Sequence, residues 1–309
     1  MLVTIAAGQC TLTIDDGYIW SISRCGAVMI MSVINTRRWL EEFVAKCEKG
    51  SSFQAESYQR QTLIKRLINY FPDLDASTLQ GQLQEYGLFQ PREWKKMKKI
   101  GKALEKERTL ELAQKEFRRL QNEWQGPDVP IFIFPITRAE ADEERVSTNK
   151  SGVAYDHIIF LFVSPGLPRE SLYALLAHEY NHVCRLQHLG ISPRDLTLKE
   201  LVVLEGMGEY AVKEQYGDKW LAPWSSMYTV KEAKQSWKRL FVDDLQLDDR
   251  KKHNLYMLGK TWSRYPKWIG YNVGFHIVQS YAKANGTIKG KELYKKSADE
   301  VIKGSGFSK

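Results

Sequence analysis

Apolar residues recur at spacings of three and four through the first third of the chain. Trp39, Leu40, Phe43 and Val44, then Leu63, Leu67, Ile68 and Phe71, each form such a stripe, which predicts helix across residues 32–125. Pro72 and Asp73 open a further helical run that ends near Gly87. Lys95 to Trp124 reads as one long helix whose charges mostly alternate in sign, as on a solvated face. Gly126 and Pro127 then break the periodicity. Pro130 to Pro135 is a continuous apolar run and predicts a short buried strand. The polar stretch from Thr137 to Gly152 reads as a loop or frayed helix. Val153 to Ser164 is a second β-rich run, and Pro165 to Pro168 turn the chain out of it. Helical spacing returns over Glu170 to Leu189 and over Thr197 to Tyr216, and the remainder is helix-rich with loops near Pro223, Asp248 and Pro266. Helices, a small β segment, then more helices argue for an α+β fold and against a doubly wound sheet.

The first thirty residues do not fit this scheme. Their first basic residue is Arg24, so the positive start of a secretory signal is missing. Residues 1–30 are expected to be a non-native or disordered extension, with natural translation starting at Met31. A helical region over 31–125 and a second domain over 126–309, which carries the candidate chemistry, would follow. No stretch is long and apolar enough for a membrane span, and the missing signal points to the cytoplasm.

Composition narrows the classes further. With 309 residues and 43% hydrophobic content, the chain can bury a large core and is not a disordered protein. Its net charge is +8, but 37 acidic residues are interspersed with 45 basic ones. The local cluster of Lys95, Lys96, Lys98 and Lys99 could meet an anionic partner. No zinc-finger or RNA-binding signature accompanies it, so nucleic acid is not expected as a partner. The four cysteines, Cys10, Cys25, Cys47 and Cys184, form no CxxC pair and no disulfide framework.

The chemistry concentrates in His178-Glu179-Tyr180-Asn181-His182. On a helix the two histidines lie one turn apart on one face, where both imidazoles can reach one ion. Glu179 points to an adjacent azimuth, within reach of water activated at the metal rather than of the metal itself. Leu172, Leu175, Leu176, Val183 and Leu186 flank the motif at spacings that bury one helix face. A third ligand is expected from Leu204-Glu205-Gly206-Met207-Gly208-Glu209-Tyr210. Glu205 follows four apolar residues, and a carboxylate entering such a context needs a cation as partner. Glu209, one turn later, is suited to accept a hydrogen bond from the outer nitrogen of His178. The two glutamates could also exchange these roles.

These segments resemble the YjaZ-like bacterial family of predicted zinc-dependent proteases, on the gluzincin side of the zincins. Further resemblance lies in Asn149 to Ala154, in Pro266 to Gly274 and in Ser305-Gly306-Phe307. The resemblance implies a zincin-like fold, mostly helical with a small sheet beside the motif helix, and one zinc per chain. It also implies Glu179 as general base, a peptide or protein substrate, and an edge strand within Val153 to Ser164 that binds substrate backbone by strand addition. An oxyanion donor besides the metal is expected to be Tyr271 or, second, His276. The competing reading is a non-catalytic zinc-binding interaction protein on the same scaffold. The intact Glu179 argues against it, because a structural metal site needs no general base.

Overall fold

The computed structural model describes residues 2–6, 9–13, 19–22, 28–30, 32–136, 149–260, 263–286 and 289–307. The chain divides into two compact units. One comprises residues 1–118, 128–153 and 158–172, the other 119–127, 154–157 and 173–309. Strands expected to belong with the second domain thus cluster with the N-terminal helices.

In the first unit, β1 (Leu2–Ala6), β2 (Gln9–Thr13), β3 (Ile19–Ile22) and β4 (Val28–Ile30) pair in sequence order as an antiparallel meander. The expected start, Met31, lies outside the described residues. A second sheet has the order β5 (Val33–Ile34), β6 (Ile131–Pro135), β8 (Ile159–Val163) and β7 (Lys150–Ala154). β5 and β8 both run parallel to β6, with Ile131 opposite Val33 on one side and Ile159 on the other. All of β6 and β8 is buried, which is why both read as unbroken apolar runs rather than alternating ones. The edges are β5 and β7, and the run expected over Val153 to Ser164 takes in the end of β7 and all of β8, of which β8 is interior. Much of the stretch expected as a loop or frayed helix, residues 137–148, lies outside the described residues.

Helices α1 (Arg37–Lys49), α2 (Ala55–Gln59), α3 (Lys65–Leu67), α4 (Ala76–Tyr86), α5 (Trp94–Lys106) and α6 (Thr109–Trp124) follow β5. The stripe of Trp39, Leu40, Phe43 and Val44 is buried, and Trp39 packs on Phe132 and Phe134 at ring separations of 5.6 and 6.3 Å. Asp75 caps α4 by accepting from the backbone of Ser77 and Thr78. The long helix expected from Lys95 to Trp124 is two helices. Arg108 takes φ of +55° at the break, within a run from Glu105 to Arg108 that has no apolar side chain to hold it against the core. That left-handed step costs about 1–2 kcal/mol and leaves no trace in hydrophobic periodicity.

The second unit is helical. It contains most of α7 (Arg169–Leu189), then α8 (Leu198–Tyr216), α9 (Val230–Ser236), α10 (Arg250–Leu258), α11 (Ile269–Ala284), α12 (Gly290–Leu293) and α13 (Ala298–Gly304). Gly190, at φ +66°, ends α7, and the Thr197 side chain caps α8. Leu186, Leu196 and Leu204 form a buried cluster that closes the α7–α8 hairpin. On its other side α8 meets α11 at backbone distance, because Gly206 and Gly274 face each other without side chains. Together the two units give a mostly helical α+β protein. No helix among the described residues is long and apolar enough to cross a membrane.

Candidate metal centre

Two helices of the second unit build the site. His178 and His182 lie one turn apart on α7, with ring centroids 4.6 Å apart and planes at 77°. From α8, Oε2 of Glu205 comes within 3.3 Å of His178 Nε2 and 3.5 Å of His182 Nε2. Donor atoms of all three lie within 4.8 Å of one another. Glu209, one turn further along α8, places Oε2 3.2 Å from His178 Nδ1. Its Oε1 accepts the backbone N–H of Ala222. Gly208 leaves the space that the two imidazoles fill, since a β-carbon there would lie 2.8 and 3.0 Å from their Cε1 atoms.

Burial makes the charge balance of this site consequential. Burial alone would keep His178 neutral, but the hydrogen bonds and charges of Glu205 and Glu209 outweigh it and lift the imidazole to about 10. Burial likewise pushes Glu205 upward, and the two histidines pull it down to about 2. Glu179 is 6% exposed, and burial raises its carboxyl above the usual range against the pull of both histidines. The cluster therefore holds a proton on His178 that offsets buried carboxylate charge. A divalent cation among the same donors can take over that role.

The donor set fits zinc. Ligands about 2.0–2.1 Å from a tetrahedral ion stand roughly 3.3 Å from each other, close to the 3.3 and 3.5 Å that separate Glu205 Oε2 from the two histidine nitrogens. Cys184 follows His182 by two residues, but burial pushes its thiol up to about 12, so it offers no thiolate at neutral pH.

A family model matches residues 109–303, which takes in both helices of the site. The chain belongs to the DUF2268 family. That family is described as a predicted Zn-dependent protease. The uncharacterized protein YjaZ of Bacillus subtilis strain 168 is 39% identical over 174 residues, which cover 56% of this chain and 66% of YjaZ. The uncharacterized protein YjfC of the same organism is 23% identical over 155 residues, covering 46% of this chain and 51% of YjfC. The chain thus matches less than two thirds of the length of either relative. No solved structure matches it.

In this member of the DUF2268 family the two residues expected to serve the oxyanion lie on α11 and differ in their engagements. The Tyr271 ring packs against Trp224 and Trp268, each at 5.2 Å. His276 is buried with its Nε2 2.9 Å from the Tyr228 carbonyl, so that nitrogen donates its proton there. Burial depresses its pKa, and Nδ1 has no partner among the described residues. Asn272, between them, donates to the carbonyls of Trp224 and Ser225 and helps hold the same loop. Residue patterns alone did not single out Arg185. Its signal was a lone arginine in the otherwise apolar run from Val183 to Leu186.

Proposed function

We propose that this chain is a zinc-dependent peptidase that hydrolyses peptide bonds with Glu179 as general base. His178, His182 and Glu205 would hold one zinc. Glu209 would orient His178 through its outer nitrogen. The observation that carries the reading is the convergence of one donor atom each from His178, His182 and Glu205 within 4.8 Å, with the Glu209 carboxylate beside His178.

When bound, zinc supplies Lewis-acid chemistry, acidifying water and polarising a carbonyl. Glu179 takes a proton from the attacking water and delivers it to the leaving amine. A carboxyl held above its usual range by burial suits that exchange, because it takes up a proton more readily than an ordinary glutamate. Developing charge on the scissile oxygen calls for a hydrogen-bond donor from the chain. Tyr271 is the first candidate for this, and His276, whose Nε2 donates to the Tyr228 carbonyl, is the second.

The test is elemental analysis of metal per chain in wild type, His178→Ala and His182→Ala, followed by assays on peptide libraries. About one zinc in wild type, lost in both variants, with cleavage that a chelator abolishes, is the expected result. Wild-type protein that takes up no zinc after reconstitution would overturn the proposal.

A further inference from the structure

We infer that Arg185 is a positioning residue for the metal centre, locking α7 to α8 and to the C-terminal segment so that His182 and Glu205 face one point. The inference rests on the zinc reading above and deepens it.

Arg185 is fully buried, which arginine tolerates only when paired. It lies three residues after His182 and so shares its side of α7. One terminal nitrogen, Nη2, donates to Oε2 of Glu200 at 2.9 Å. Glu200 stands in the first turn of α8, five residues before Glu205. The other, Nη1, donates to the carbonyls of Tyr294 at 3.1 Å and Lys296 at 2.7 Å, between α12 and α13. The third donor, Nε, has no partner among the described residues.

This arrangement makes poor sense as a stability device. Burying a guanidinium carries a desolvation cost that pairing only offsets, and an apolar side chain of similar volume often stabilises as well or better. The unpartnered Nε–H adds to that cost. A directional fork does offer something that the neighbouring apolar cluster of Leu186, Leu196 and Leu204 cannot. Leucines tolerate sliding of one helix past another, whereas one planar group that holds α8 by one hydrogen bond and the Tyr294–Lys296 segment by two fixes the axial register. Register matters here because the proposed ligands come from two helices and must converge within about half an ångström. The segment at Tyr294 to Lys296 is tied down elsewhere too, by the Tyr294 hydroxyl on the Trp124 carbonyl, so the fork acts against a fixed support.

The experiment uses the full chain and compares wild type, Arg185→Met/Glu200→Gln, Arg185→Lys and Glu200→Gln. Three readouts are taken: thermal unfolding, zinc affinity by chelator competition, and the visible absorption of the cobalt(II)-loaded protein, which reports ligand geometry. The double variant, which removes both charges, is expected to unfold cooperatively yet bind zinc about 10–100-fold more weakly, with an altered cobalt spectrum. Arg185→Lys keeps the charge without the fork and should recover part of the affinity. A folded double variant with wild-type zinc affinity and spectrum would overturn the inference. If the double variant does not fold, Glu200→Gln decides. It leaves both carbonyl bonds in place, so weaker zinc binding supports the α7–α8 link and unchanged binding removes it. Wild-type protein that binds no zinc refutes the metal reading itself, whatever the Arg185 variants do.

Discussion

Gly208 gives His182 its room: a β-carbon in its place would stand 2.8 Å from the imidazole Cε1. The same atom would lie 3.0 Å from Cε1 of His178. Two residues earlier, Gly206 serves a different neighbour. A β-carbon there would meet the Gly274 carbonyl oxygen at 2.2 Å. One short stretch of α8 therefore fits against the histidines on one side and against α11 on the other.

The two glycines should separate in experiment. Gly208→Ala presses on side chains and should weaken zinc binding by roughly tenfold or more, as overpacking by about 1–3 kcal/mol implies. Its helix content should be unchanged by circular dichroism. Gly206→Ala presses on backbone and should instead lower the melting temperature. A Gly208→Ala protein with wild-type zinc affinity would show that the imidazoles have slack.

Much of this centre was legible in the sequence, because HExxH is a local pattern. Four-residue spacing on a helix brings His178 and His182 together whatever the rest of the chain does. The pair Glu205 and Glu209 was visible too, one turn apart. Their distinct contacts depend on how α8 is set against α7, and that comes from side chains distant in sequence. Arg185 reaches carbonyls at Tyr294 and Lys296, more than a hundred positions away. Similarly, β5 is two residues long and exists only through pairing with Ile131 and Phe132. No periodicity can announce an element that short. The break at Arg108 escaped for the opposite reason, since a polar run on a charged helix looks the same whether the chain turns there or not.

Distinct contacts for the two glutamates lead to distinct losses. Glu205→Ala removes the oxygen that lies near both Nε2 atoms and should abolish stoichiometric zinc. Glu209→Ala removes only the partner of His178 Nδ1 and should leave a site about 10–100-fold weaker. Metal analysis after dialysis against a graded chelator series distinguishes them. The reverse order would make Glu209 the ligand.

Zinc and a proton should compete for His178. The imidazole is lifted to about 10, so it carries its proton at pH 7.5, while Glu205 at about 2 is already ionised. Zinc takes the neutral imidazole and must displace that proton. Binding at pH 7.5 should therefore release roughly one proton per zinc, and affinity should rise by about tenfold per unit between pH 7 and 9. Calorimetry in two buffers of different ionisation heat counts the proton. Identical heats in both buffers would contradict the charge assignment.

Zinc binding and turnover should separate at Glu179. Glu179 touches neither Nε2 atom in the way Glu205 does, so Glu179→Gln should retain about one zinc while peptide hydrolysis falls by about 10²–10⁴-fold. Tyr271→Phe should reduce kcat by about 10²-fold with KM little changed, the signature of a donor used only in the transition state. His276→Gln serves as the contrast. Because its Nε2 donates to the Tyr228 carbonyl, its loss should loosen that loop and lower thermal stability more than kcat. Equal losses of kcat in the Tyr271 and His276 variants would argue that the oxyanion is served through the loop rather than by the tyrosine hydroxyl. Full activity in Glu179→Gln would remove Glu179 as the general base, whereas a zinc-loaded wild type that cleaves no peptide would favour the non-catalytic zinc protein.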